Sequence, residues 1–99
     1  MGKEKKAVDP AKVFGALAHP IRLAILRMLM ENTAIVSDMV ESFELEQTKI
    51  SKHLAILRQA GLVRCSPEGR CRRYQLRRPE ALASLLETAQ AWPIPKKKP

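Results

Sequence analysis

Aromatic residues are scarce in this chain of 99 residues, which contains two phenylalanines, one tyrosine and one tryptophan. Hydrophobic residues nevertheless make up 45% of it, so we expect a globular protein with a core of Leu, Ile, Val, Met and Ala side chains. Such a core suits packed helices better than a β-sandwich. The length fits one domain of modest size.

The sequence also has no long apolar run. No stretch approaches the roughly 20 apolar residues that cross a bilayer, and residues 1–6 lead into nothing that resembles a signal peptide. We therefore expect a cytoplasmic protein with no membrane partner, in which Cys65 and Cys71 are normally reduced. A Gly-rich phosphate loop, a paired-acid cleft and a nucleophile signature are all absent, so we expect no enzyme.

Positive charge is concentrated in one third of the chain. Residues 47–78 contain nine Lys and Arg residues and one acid, whereas residues 1–46 contain six basic and seven acidic residues. A solvated surface normally mixes both signs, so this segment indicates a polyanionic partner. An anionic membrane surface would also attract such a segment. The helical pattern described next favours nucleic acid.

Hydrophobic spacing and end signals predict four helices, a β-hairpin and a fifth helix. Asp9-Pro10 is a start signal for the first helix, and the second follows His19-Pro20. The third and fourth are predicted at about residues 35–43 and 47–60, joined by a tight turn. Two short helices joined in this way form a helix-turn-helix unit.

After Gly61 the spacing changes to that of strands. The runs on either side of residues 66–69 predict a β-hairpin, and Pro79 begins a last helix that runs to about Trp92. The predicted fold is therefore mainly α with one hairpin, a winged helix-turn-helix. We expect one DNA-binding and dimerisation domain over residues 9–92. A flexible basic N-terminus (residues 1–8) and a Lys/Pro tail (residues 93–99) would flank it.

The fourth predicted helix has the pattern of a DNA-reading helix. Its apolar residues fall on one side, and hydrogen-bonding side chains lie opposite them, as insertion into a major groove requires. The hairpin would be a wing along flanking phosphates or the minor groove. Any single Lys or Arg is more often merely solvated, but the coincidence of both elements with the localised charge favours DNA. The candidate DNA-binding residues are Gln47, Thr48, Lys49, Ser51, Lys52, His53, Arg70, Arg72 and Arg73.

Two segments resemble the ArsR/SmtB family, namely ALAHPIRLAIL at residues 16–26 and QTKISKHLAILRQAGLV at residues 47–63. The resemblance implies a homodimeric repressor that binds an inverted repeat and is released by an inducer. It also implies an interface made by the first and last helices, although the last helix could instead cap its own core. The interface candidates are Phe14, Leu17, Leu82, Leu85, Leu86 and Trp92. Glu44 departs from the family, which usually has Gly in the turn.

The metal sites that the resemblance implies are absent. Residues 35–39 are IVSDM, where arsenic or lead/cadmium sensors of the family carry cysteines, and the last helix has no His or Asp for a zinc or nickel site. We expect His19 and His53 to be structural or DNA-facing. No cofactor is certain.

Cys65 and Cys71 are the remaining candidates for effector sensing. A three-residue turn at residues 67–69 would place the two thiols opposite each other, where oxidation or a thiophilic ion such as arsenite could bridge them. A two-residue turn at Glu68-Gly69 would place them on opposite faces. Cysteines with no regulatory role, an organic inducer and a winged-helix protein-interaction module all remain alternatives.

Overall fold

The computed structural model describes residues 8–95, so most of the predicted N-terminus and the lysines of the predicted tail lie outside the described residues. Five helices and a three-stranded antiparallel sheet make up this part, which confirms the winged-helix prediction. The elements are α1 (Pro10–Leu17), α2 (Pro20–Glu31), β1 (Ala34–Ile35), α3 (Val36–Phe43), α4 (Gln47–Gln59), β2 (Val63–Glu68), β3 (Cys71–Leu76) and α5 (Pro79–Gln90).

Two caps fix the corner between α1 and α2. A carboxylate oxygen of Asp9 accepts from the backbone N–H of Ala11 at 2.9 Å, which starts α1. The ring Nδ1 of His19 accepts from the N–H of Ile21 at 3.1 Å, and Pro20 occupies the first position of α2. Within residues 8–95 no single helix is long and apolar enough to cross a membrane; α1 and α2 together meet that test but join at 93°.

The core lies where α2, α3 and α4 meet the sheet. Ile25, Met39 and Ile50, one from each of these helices, have no exposed surface. Val63 and Tyr74 cover the core from the sheet side. Such close-packed aliphatic burial is the main favourable contribution to the stability of a domain of this size.

The sheet contains one strand that the sequence did not predict. Its order is β1-β3-β2, and β1 pairs Ala34 with Tyr74 and Ile35 with Arg73. Two residues are too few to show the alternation that identifies a strand. The consequence is that β3 lies between two partners, which anchors the hairpin to the start of α3.

The turn between α3 and α4 is strained at Glu44. Its φ is +54° and its ψ is +43°, and within residues 8–95 it is the one non-glycine residue with a positive φ. The left-handed conformation costs a residue with a Cβ roughly 1–2 kcal/mol. The turn forms despite this, because Met39 on α3 and Ile50 on α4 are both held in the core.

Replacing Glu44 with glycine should therefore stabilise the protein. We expect Glu44→Gly to raise the free energy of unfolding by about 0.5–1 kcal/mol, since relief of strain exceeds the entropy gained by the unfolded chain. Urea denaturation at neutral pH measures this change. The control is Gly61→Ala, where φ is +78° and an added Cβ would lie 3.2 Å from Val8 Cγ2, so this variant should lose stability. A loss of stability in Glu44→Gly would show that strain is not the dominant property of this turn.

Candidate nucleic-acid interface

One face of α4 is exposed and carries five of the predicted DNA-binding side chains. The opposite face is buried, because Ile50, Leu54 and Leu57 are at most 1% exposed. Within residues 8–95 the five exposed side chains form no side-chain hydrogen bond or ion pair, so their polar groups are available to a ligand. They are Gln47, Thr48, Lys49, Ser51 and Lys52.

A polar cleft of about 370 Å³ joins the beginning of α4 to the wing. Gln47 and Ser51 line it from α4, and Arg70 and Arg72 line it from the hairpin. The structure thus brings together residues that the sequence assigned separately to a reading helix and to a wing. Ser37 on α3 lines the same cleft and was missed, because α3 was interpreted only through its apolar face. The guanidinium donors of this groove suit a phosphodiester backbone, and the amide and hydroxyl groups beside them suit base edges.

The register of the hairpin differs from the prediction. Glu68 pairs with Cys71 and Cys65 pairs with Tyr74, so the turn is the two residues Gly69-Arg70. Gly69 has φ +62° and Arg70 a negative φ, as in a turn with glycine at its first central position. The prediction was wrong because it placed Pro67 in the turn. Pro67 instead lies in β2, an edge strand, where its missing N–H breaks no ladder.

This register separates the two thiols. Cys71 is opposite Glu68, three residues along β2 from Cys65, so the side chains point to opposite faces about 10 Å apart. A disulfide requires Cα atoms within about 7 Å of each other. The predicted bridge between Cys65 and Cys71 is therefore wrong for the folded chain, and one arsenite ion cannot be held by both thiols. Across residues 8–95 no group of three or more His, Cys, Asp or Glu side chains could hold a metal.

Arg73, a predicted DNA-binding residue, is engaged within the wing. Its guanidinium donates to both carboxylate oxygens of Glu68, at 2.6 and 3.0 Å, and to the hydroxyl of Thr33 at 3.2 Å. The hydrogen bond from Arg73 lowers the pKa of Glu68. Arg73 therefore braces the wing tip against the segment before β1, whereas Arg70 and Arg72 remain exposed.

His53 is likewise turned away from the exposed face of α4. It is half-buried, its ring centroid lies 4.6 Å from that of His19, and its Nδ1 lies 3.3 Å from Nη1 of Arg22. The sequence placed it beside the reading face because it directly follows Lys52 on the fourth helix. Its actual contacts are with the beginning of α2.

The predicted dimer residues fall into two groups. Leu17, Leu82 and Leu86 are buried in the core of their own chain, as expected if α5 caps it. Phe14 is 58% exposed and lies with the half-buried Leu85 along an apolar groove of about 310 Å³ between α1, α2 and α5. Trp92 lies beyond the end of α5 and is 71% exposed.

Known proteins resemble this chain in both sequence and fold. Residues 19–64 match the family described as bacterial regulatory protein, arsR family. The HTH-type transcriptional regulator Rv0081 of Mycobacterium tuberculosis is 36% identical over 81 residues, which are 81% of this chain and 70% of that protein. The chain belongs to the ArsR family. Its structure matches the crystal structure of Rv0081 with a TM-score of 0.73 at 34% identity, covering 82% of this chain and 81% of the other.

Two further relatives differ in the direction of regulation that their names give. The transcriptional activator HlyU of Vibrio cholerae is 35% identical over 82 residues, 83% of this chain and 76% of HlyU, and its structure has a TM-score of 0.71. The repressor SmtB of Mycobacterium tuberculosis is 39% identical over 73 residues, 73% of this chain and 54% of SmtB. This ArsR-family chain is therefore a transcriptional regulator with a winged-helix DNA-binding domain, not an enzyme.

The hairpin register predicts how the two thiols respond to oxidation. Oxidation of the folded protein with diamide should leave no disulfide between Cys65 and Cys71 of one chain, because the two side chains lie on opposite faces. Thiol counting and intact mass after oxidation, at low protein concentration, measure this outcome. The same treatment in urea serves as the control, since the unfolded chain can close the loop. Quantitative intrachain bridging without denaturant would contradict the register.

Proposed function

We propose that this ArsR-family regulator is a homodimeric repressor that binds an inverted-repeat operator through α4 and the wing. The observation that carries the proposal is the polar cleft in which Gln47 and Ser51 of α4 meet Arg70 and Arg72 of the wing. In a major groove, the amide and hydroxyl side chains at the beginning of α4 reach base edges. Lys49, on the same helix, neutralises a phosphate of the DNA backbone.

The charge distribution supports a duplex as the ligand. Residues 47–78, from α4 through the wing to the start of α5, carry a net charge of +8, equal to that of the entire chain. The DNA backbone passes from the exposed face of α4 into the cleft, where Arg70 and Arg72 lie along it. Binding then releases condensed counterions and weakens steeply as salt rises.

The groove beside Phe14 supports a dimer. An exposed aromatic residue beside an apolar groove marks a surface for another protein. A two-fold axis through α1 and α5 turns two copies of α4 toward one side, and half-sites then lie about 34–36 Å apart on the duplex. Leu17, Leu82 and Leu86 contribute indirectly, by holding α1 and α5 to the core of their own chain.

The DNA-binding assignment predicts two classes of variant. A duplex selected from a pool with a randomised centre is the probe, and fluorescence anisotropy over a range of salt concentrations is the measurement. Gln47→Ala or Ser51→Ala should weaken binding to the selected duplex by about 10- to 100-fold, with little effect on a scrambled duplex, because a base contact is lost. Lys52→Ala is the control, and it should weaken binding to both duplexes and reduce the salt slope by about 1.

Two results would refute this assignment. An affinity that stays flat as salt rises would exclude phosphate neutralisation. A loss of affinity in Gln47→Ala that is equal on selected and scrambled duplexes would assign that side chain to the backbone.

The dimer proposal predicts that a charge in the groove separates the subunits. Phe14→Glu should shift the protein from dimer to monomer, because its side chain is already exposed in the folded chain and the variant places a carboxylate in an apolar interface. Analytical ultracentrifugation measures the change. The matched control is Ile56→Glu, since Ile56 is 40% exposed but lies on α4, outside the groove. Equal dissociation constants for Phe14→Glu and the parent protein would place the interface elsewhere.

A further inference from the structure

Both histidines of the chain lie in one cluster, together with an arginine. His19 precedes α2 and His53 belongs to α4, yet their ring centroids are 4.6 Å apart and the rings are tilted by 57°. Arg22, in the first turn of α2, contacts His53. These three residues, His19, Arg22 and His53, are called the His–Arg corner below.

Arg22 connects three helices through one guanidinium group. Its Nε donates to the carbonyl oxygen of Ala16 at 2.6 Å, and its Nη2 donates to that of Gly15 at 3.3 Å. Both carbonyls belong to the last turn of α1. Its Nη1 points to Nδ1 of His53 at 3.3 Å. The position of α4 relative to the corner between α1 and α2 is therefore coupled to this side chain.

Both rings must be neutral for these bonds to form. Nδ1 of His19 accepts the backbone N–H of Ile21, so it carries no proton. A guanidinium group has only donors, so Nδ1 of His53 must be the acceptor for Arg22. Each imidazole therefore has its proton on Nε2. Protonation of either ring removes the acceptor and adds a positive charge beside Arg22.

The surroundings of the His–Arg corner contain no compensating carboxylate. Within residues 8–95 no acidic group lies within 4.0 Å of Arg22 or of either imidazole. Burial, His19 and Arg22 together lower the pKa of His53 from its ordinary value of 6.5. The remaining charged residues of α1, α2 and α4, together with the N-cap of α1, form no hydrogen bond or ion pair with the His–Arg corner. They are Asp9, Lys12, Arg27, Glu31, Lys49, Lys52 and Arg58.

We propose that the His–Arg corner is a proton-sensitive link that positions the reading helix, so that mild acid weakens binding to the operator. The proposal rests on the proposed function, because it concerns the same DNA-binding helix. The corner acts through α4 without contacting DNA, so these three are positioning residues. The ligand is the proton. It can be accepted by Nδ1 of His19, which caps α2, or by Nδ1 of His53, which links α4 to Arg22.

The direction of the effect follows from proton linkage. The folded state favours neutral His53, so the stability that the neutral ring contributes is fully present above about pH 6.5. It is lost as pH falls through the lower pKa of the folded state. Protonated His53 turns an N–H toward the N–H of Arg22, and protonated His19 no longer caps α2.

The DNA test compares each protein with itself at two pH values. The selected duplex is the probe, at constant ionic strength, at about pH 7.5 and about pH 5.5. The parent protein should lose affinity several-fold on acidification, because the neutral His53 ring that positions α4 becomes protonated. His53→Gln keeps an acceptor for Arg22, and His19→Asn keeps a cap for α2, but neither side chain titrates. The double variant should show no pH dependence over this interval.

An NMR titration tests the corner without DNA. At about pH 7.5 long-range ¹⁵N–¹H spectra should show both rings protonated at Nε2 only, and His53 should titrate below the ordinary histidine range. A pH-independent affinity of the parent protein, or an equal acid loss in the double variant, would overturn the proposal. If no duplex is selected at all, the proposed DNA-binding function fails. If the rings carry their proton on Nδ1 at neutral pH, only the proposed role of the His–Arg corner fails.

Discussion

The burial of one side of α4 is the constraint on which the interface depends. Ile50, Leu54 and Leu57 are held between α2, α3 and the hairpin, and each is at most 1% exposed. A helix turns by about 100° per residue, so fixing these three side chains also fixes which residues face outward. A slip of one residue would bring polar side chains into the core at a cost of roughly 2–7 kcal/mol each. Core packing therefore determines where Gln47 and Ser51 point.

Much of this arrangement was predictable because its signals are local. Asp9-Pro10 starts α1, Pro20 starts α2, and Gly61 with φ +78° ends the helical run. The spacing of the apolar residues identified the buried side of α4 and, by difference, its exposed side. The same residues support the family resemblance, which the matches to known regulators confirm.

The failures share a different cause, since each depends on a partner that is distant in the sequence. The hairpin register depends on whether Pro67 lies in the turn or in an edge strand. Whether β2 is an edge strand is decided by the strand order of the whole sheet. His53 was assigned to DNA because nothing near it in the sequence reveals Arg22, 31 positions earlier. Arg73 was counted as a free cation, yet Glu68 across the hairpin and Thr33 before β1 already bind it. Pairing across the fold, rather than helix propensity, sets the limit on such predictions.

Pro67 also has a consequence for how the wing behaves toward other wings. β2 is at the edge of the sheet, and an edge strand with free N–H and C=O groups can add a strand from another molecule. Pro67 has no N–H to offer, and the neighbouring Arg64 and Glu68 are exposed and charged. Edge-to-edge stacking is thereby disfavoured. The exposed edge of the wing therefore does not present a continuous row of hydrogen-bonding groups to a neighbouring molecule.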